Sequence, residues 1–388
     1  MTAIINAELV MRDHLIPEAV LFMEDGKITG YGEMRTTPVP EGCEIIDAGG
    51  AYVGPGLVDI HCHAGNGVRF EHGAHIAASA HLPLGTTSML ATLGGRLTAP
   101  ELVAGINGIR QTMSQPEGIN IAGIYMEGPY INPDFGSLSH LNPWRFGAHA
   151  EDYMPILEAG AELIRVWSVG PETEGIETFV KDAKAACPNI RFAVGHSQAS
   201  PQQIEALVPY GLCIGTHHTN ATGDLPKYPE CRGVCVDETV NYNNGIYAEI
   251  ISDSMGIHVD PYMQRLIRKI KGDDKIILIS DQTAYNTPNP PGLEHVTDLN
   301  FTPMENGGID ISGSKLTMNV ACRNYMKHTG ASIVDAFKVG SYNPAKAVGL
   351  YDRGEIRVGL RADLIFVDIK MNVKTVIIGG RIVSENRY

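Results

Sequence analysis

Long apolar runs are missing from this sequence. No segment approaches the roughly 18 consecutive apolar residues of a membrane-spanning helix. The opening residues, MTAIINAELV, lack the basic and apolar regions of a secretion signal, so a cytoplasmic location is expected. Positive charge is scarce: 30 lysines and arginines face 44 aspartates and glutamates, a formal net charge of −14. That balance argues against nucleic acid or a membrane surface as partner, since both select a basic face. It leaves room for a small anionic substrate, which a few local cations or helix N-termini can hold. Cysteine is sparse and odd in number, seven in 388 residues, which reads as free thiols. Cys231 and Cys235 stand four apart but have no matching second pair, so they too read as ordinary thiols. Internal repeats and low-complexity segments are absent.

What is present is a change of pattern along the chain. The first fifty residues read as short strands (AELV, AVLFME, KITGYG), with Asp25-Gly26 as a hairpin turn. The last thirty read alike (ADLIFVDI, KTVIIGG, RIVSE), and neither end is long enough to stand alone. Both ends are therefore expected to pair into one small β-sandwich domain, residues 1–54 with residues 344–388. Between them, residues 55–343 carry eight short apolar, β-branched runs: GLVDI, TSMLATL, IAGIYM, LIRVWSV, FAVG, CIGT, YAEIIS and KIILIS. Near-continuous apolar strands indicate a parallel sheet buried on both faces. Helical stretches intervene. SPQQIEALVPYG offers Ser200 as N-cap with Pro201 at the first helical position, and DPYMQRLIRKIKG repeats the scheme with Asp260 and Pro261. The expectation is an α/β fold, a (β/α)8 TIM barrel. An open doubly wound sheet is the alternative, and it places its chemistry at a single switch point.

The polar residues that follow the strands decide between the two. The first run ends in His61-Cys62-His63, the third in Glu127-Gly128-Pro129, the fifth in His196, and the sixth in His217-His218. The seventh leads to His258 and the eighth ends in Asp281. In a barrel all of these open on the C-terminal face, where active sites sit. A single histidine means little, but four histidines and two carboxylates at strand ends supply the N and O ligands of zinc, iron or manganese. Residues two apart on an extended strand point to the same side, so His61 and His63 can grip one ion while Cys62 points into the core. A bound cation lowers the pKa of its water to about 7 and polarises a carbonyl oxygen. Asp281 is the expected acid/base, taking the water's proton and returning it to a leaving nitrogen. His140 or His258 can support the oxyanion or the substrate's polar groups.

With those residues in view, the chain resembles the amidohydrolase superfamily, and within it the N-acetylglucosamine-6-phosphate deacetylases. PGLVDIHCH, MEGPYIN, VGHSQAS, GTHHTNAT, IISDSMGIHVDP, ISDQTA, ISGSKLTM and GEIRVGLRADLIFVD carry the similarity nearly end to end. The resemblance implies that Glu127, His196 and His217 bind one divalent metal and that His61 and His63 help bind a second. Zinc is the expected ion, with iron or manganese as alternatives. Asp281 would be the acid/base, touching the metal, and Asn220, Ala221 and His258 would contact a sugar phosphate. His140 would lie near the acetamide carbonyl. The implied reaction releases acetate from N-acetylglucosamine-6-phosphate or N-acetylgalactosamine-6-phosphate. The implied assembly is a homodimer. The sequence departs from the family after Asn220, where NATGDLPKYPECRGV lacks the arginine that reaches the phosphate. Lys227 or Arg232 is the expected substitute. That departure keeps a second substrate class open, another N-acyl sugar or an N-acyl amino acid. A non-catalytic sugar-binding relative is disfavoured, because no ligand is lost.

Overall fold

The computed structural model describes residues 1–136, 141–144, 146–284, 288–303 and 308–386. Eight parallel strands form its centre: β1 (Leu57–Cys62), β2 (Thr86–Gly94), β3 (Ile121–Glu127), β4 (Ile164–Val169), β5 (Arg191–Val194), β6 (Leu212–Gly215), β7 (Tyr247–Ile250) and β8 (Ile276–Leu278). They pair in sequence order from β1 to β8, and each corresponds to one of the eight apolar runs. Every residue of β2 is buried, as a strand covered on both faces requires. The chain just past β8 returns to β1: the Asp281 amide donates to the His61 carbonyl (2.9 Å) and the His63 amide to the Gln282 carbonyl (2.8 Å). The ring is therefore nearly closed, and these joining bonds lie among the residues that carry the chemistry.

The helices form where the caps place them. Ser200 accepts from the Gln203 amide while the Gln203 side chain accepts from the Ser200 amide, starting the helix Pro201–Leu207. Asp260 accepts from the Tyr262 amide (2.7 Å) and starts Pro261–Lys271. The stretch after β2 begins as a helix at Ala99, behind a Thr98–Glu101 capping box.

The two chain ends meet in one eight-stranded sheet, through Leu364–Val367 running antiparallel to Tyr52–Pro55. Asp25 (φ +49°) and Gly26 (φ +75°) make the two-residue turn between Leu15–Glu24 and Lys27–Glu33, where positive φ at both positions matches the strand twist. Alternation assigns the faces. Leu364 and Phe366 join a core of their own with Ile4, Leu9, Leu21 and Val53, whereas Ile365 and Val367 pack into the barrel core. The sheet is thereby fixed to the barrel through its second face. A further hairpin, Leu299–Pro303 with Ile309–Ser314, lies over the mouth of the barrel.

Candidate metal centre

Strand ends bring six of the expected side chains to one point. Oε1 of Glu127 is 3.0 Å from His196 Nε2, 3.2 Å from His217 Nε2 and 3.5 Å from His61 Nε2. Its Oε2 is 3.0 Å from His63 Nε2. Asp281 Oδ1 stands 3.4 Å from His63 Nε2 and 3.8 Å from His61 Nε2. The Nε2 atoms of His196 and His217 face each other at 2.9 Å. Donors at about 2.0–2.2 Å from a tetrahedral ion are roughly 3.3–3.6 Å apart, so the Glu127–His196–His217 trio stands slightly inside the spacing a divalent ion would set. His61 Nε2 is buried without a hydrogen-bond partner and is aimed at the same carboxylate. These observations fit a divalent metal held by the N and O donors of Glu127, His196 and His217, with His61 and His63 beside them.

The surroundings prepare the rings. His196 Nδ1–H donates to the Phe135 carbonyl (3.2 Å), leaving the Nε2 lone pair toward Glu127. Gly136 (φ +94°) permits that approach, because a Cβ there would sit 2.4 Å from His196 Nδ1. His61 Nδ1–H donates to Glu249 Oε2 (3.2 Å), and the same oxygen accepts the His217 amide (3.1 Å). A carboxylate behind a ligand histidine fixes its tautomer and raises its basicity. Burial would push the Glu127 carboxyl up, but His63, His61, His196 and His217 hold it well below the usual range. Burial also opposes charge on His61, yet Glu127 and Glu249 raise it well above an ordinary imidazole. Surroundings that favour a proton there equally favour a metal cation in its place. His196 (φ +47°), His217 (φ +27°) and Asp281 (φ +47°) all hold left-handed backbone. Each such position costs a non-glycine residue about 1–3 kcal/mol and collects at functional sites.

Three comparisons bear on this arrangement. Residues 259–383 match the Amidohydrolase family. Over nearly the whole chain there is 27% identity to an N-acetylglucosamine-6-phosphate deacetylase of Bacillus subtilis, covering 96% of this chain and 95% of that protein. One of Danio rerio is 24% identical, covering 96% and 94%. The crystal structure of such a deacetylase from Pasteurella multocida superposes with a TM-score of 0.85 at 24% identity, over 99% of this chain and all of the other. The chain is thus similar to the amidohydrolase superfamily, through the family pattern over residues 259–383 and through its fold.

The candidate metal centre opens onto a pocket of about 570 Å³. Asn220, Ala221, His258 and Asp281 all line it, as the sequence leads one to expect. His258 is fixed by Asp253, whose Oδ2 accepts from its ring Nδ1 (3.0 Å) and its amide (2.9 Å). Lys227 and Arg232 do not line the pocket. Both are exposed on the loop after Asn220, and Arg232 is held by Glu238 at 2.7 Å. His140 lies outside the described residues.

Sequence reasoning passed over Glu249, Arg69 and Arg96. Glu249 is wholly buried in β7, and a carboxylate inside the apolar run YAEIIS is the signal that could have found it, since a buried charge needs a partner. Arg69 and Arg96 both line the pocket.

Proposed function

We propose that this protein removes the acetyl group of an N-acetylated amino sugar 6-phosphate, N-acetylglucosamine-6-phosphate first, by hydrolysis to the amino sugar phosphate and acetate. The observation that carries the reading is the convergence of Glu127, His196 and His217 beside Asp281 at the floor of the pocket. Two further findings support it: the end-to-end similarity to curated deacetylases, and the fold shared with a Mycobacterium smegmatis deacetylase solved in complex with N-acetyl-D-glucosamine-6-phosphate (TM-score 0.80, 23% identity).

A divalent ion held by these residues, zinc by choice of donors, supplies Lewis-acid polarisation and water activation. The side chains do the rest. Asp281, 8% exposed and facing the pocket, accepts a proton from the attacking water and delivers it to the leaving nitrogen. Its backbone is pinned on both sides: the Asp281 amide donates to the His61 carbonyl, and the Ser314 amide donates to the Asp281 carbonyl (2.8 Å). That fixes where the proton is taken up. His258 and Asn220 are placed to hydrogen-bond the sugar's polar groups, and Arg96 supplies the cation for the phosphate that the loop residues do not. The family resemblance adds a homodimer and a cytoplasmic location, open to sizing chromatography and cell fractionation.

A panel of N-acyl compounds tests the reading. The two N-acetylhexosamine 6-phosphates should be turned over far better than unphosphorylated sugars or N-acyl amino acids. The second substrate class rests on the displaced loop cations, and it would be favoured if phosphate gave no advantage.

A further inference from the structure

Two buried carboxylates outside the metal centre hold the segment that joins β7 to the helix Pro261–Lys271. The first is Asp253, wholly buried just past the end of β7. Its Oδ1 accepts the amides of Met255 (3.0 Å) and Ile257 (3.0 Å), while its Oδ2 takes the amide and the ring Nδ1–H of His258. The second is Asp298, buried immediately before the hairpin at the barrel mouth. Its two oxygens accept the amide and the hydroxyl of Ser254, each at 2.7 Å. The helix Met318–Thr329 supports both: His328 donates to the Asp253 carbonyl (2.8 Å), and Asn324 to the Ser252 carbonyl (2.9 Å) and to Asp298 (3.2 Å). Gly256 (φ +66°) lets the turn close, since a Cβ there would sit 2.4 Å from Pro261 Cδ.

An ionised carboxylate only accepts hydrogen bonds, so the ring nitrogen facing Asp253 must carry the proton. Burial would push the Asp253 carboxyl up, but the His258 ring and the amides of His258 and Ile257 hold it below its ordinary value. His258 therefore turns Nε2 away from Asp253. That atom is buried without a hydrogen-bond partner, on a residue that lines the pocket. Asp298 adds a second link. It joins this turn to the mouth hairpin, whose other end holds Asp281 through the Ser314 amide. The Lys315 amide donates to the Asp298 carbonyl (3.1 Å), which ties the two feet of the hairpin together. One element thus anchors both the binding ring and the acid/base.

We propose that Asp298 and Asp253 are positioning residues acting in series on substrate binding. Asp298 ties the turn to the mouth hairpin, and Asp253 sets the His258 ring on that turn. Together they hold Nε2 at a fixed place relative to Asp281, where it meets the substrate's polar groups. The inference rests on the proposed function for its substrate, and on the geometry alone for the ring.

The test uses the full-length, zinc-loaded protein. It measures kcat and KM for N-acetylglucosamine-6-phosphate in double-mutant cycles against His258→Gln, and reads the His258 tautomer by long-range ¹H–¹⁵N NMR. His258→Gln and Asp253→Asn should each raise KM by about tenfold, the order of one lost hydrogen bond to a charged partner, with kcat and zinc content little changed. Asp253→Asn still accepts two amides but turns an N–H toward the ring, so the His258 proton should move from Nδ1 to Nε2. Asp298→Asn should raise KM by a smaller factor. Neither aspartate substitution should raise KM further in the His258→Gln background, because both act through that ring. Additive losses in that background, a fall in kcat at unchanged KM, or an unprotonated His258 Nδ1 in the wild type would each overturn the inference. No turnover by the zinc-loaded wild type would count against the proposed function, and the tautomer measurement would still test the ring. If Asp253→Asn does not fold, Asp298→Asn and the wild-type tautomer decide.

Discussion

Glu249 offers the sharpest perturbation of the centre from outside it. It lies in β7, wholly buried, and one oxygen receives both the His61 ring (3.2 Å) and the His217 amide (3.1 Å). Replacing it with glutamine keeps the shape and removes the charge that, with Glu127, makes His61 basic and that orders its tautomer. Loss of such an outer partner usually lowers metal affinity by about 10–100-fold, or roughly 1.4–2.8 kcal/mol at 1.4 kcal/mol per decade. Glu249→Leu goes further, because it also strands the buried His217 amide, at about 1–3 kcal/mol of folding stability. The assay is a competitive zinc titration against a chromophoric chelator, paired with urea unfolding. The expected order is weaker metal binding in Glu249→Gln with stability little changed, and loss of both in Glu249→Leu. Zinc affinity within twofold of wild type in Glu249→Gln would refute the reasoning that this carboxylate prepares the ligands.

Other substitutions separate the remaining roles. Asp281→Asn should retain its metal and lose about 10²–10⁴ in kcat, the usual range for a lost acid/base; an activity loss explained entirely by metal loss would remove its assigned role. Arg96→Ala should raise KM for the phosphosugar by tenfold or more while kcat changes little, whereas Lys227→Ala and Arg232→Ala should leave both constants near wild type. The reverse result would return the phosphate to the loop after Asn220. Gly136→Ala puts a Cβ 2.4 Å from His196 Nδ1 on backbone at φ +94° and should lower metal affinity through His196. A variant with unaltered zinc binding would show that Phe135 does not orient that ring.

The fold was readable because its signals are local. Eight apolar runs became eight strands, and Ser200-Pro201 and Asp260-Pro261 became helix starts, since each depends on neighbours a few residues away. The ligand candidates were readable because the barrel sends every strand's C-terminal end to one face. Contacts that close only in three dimensions were not. His61 and Glu249 are separated by 188 positions, and nothing near Glu249 except its own isolation in an apolar strand announces the pairing. Arg69 reaches His63 only because the Asn66-Gly67 turn folds the chain back. The phosphate cation was sought on the loop after Asn220, where the family pattern pointed. Arg232 is exposed there and paired with Glu238, and the arginines that line the pocket are Arg69 and Arg96.

The central claim, a metal-dependent deacetylase of an amino sugar phosphate, is tested most directly by acetate release from N-acetylglucosamine-6-phosphate. One preparation should be assayed after chelation and again after zinc is restored. The account predicts no release from the chelated protein and recovered turnover on reconstitution. Undiminished release without metal, or none with the centre loaded, would contradict it.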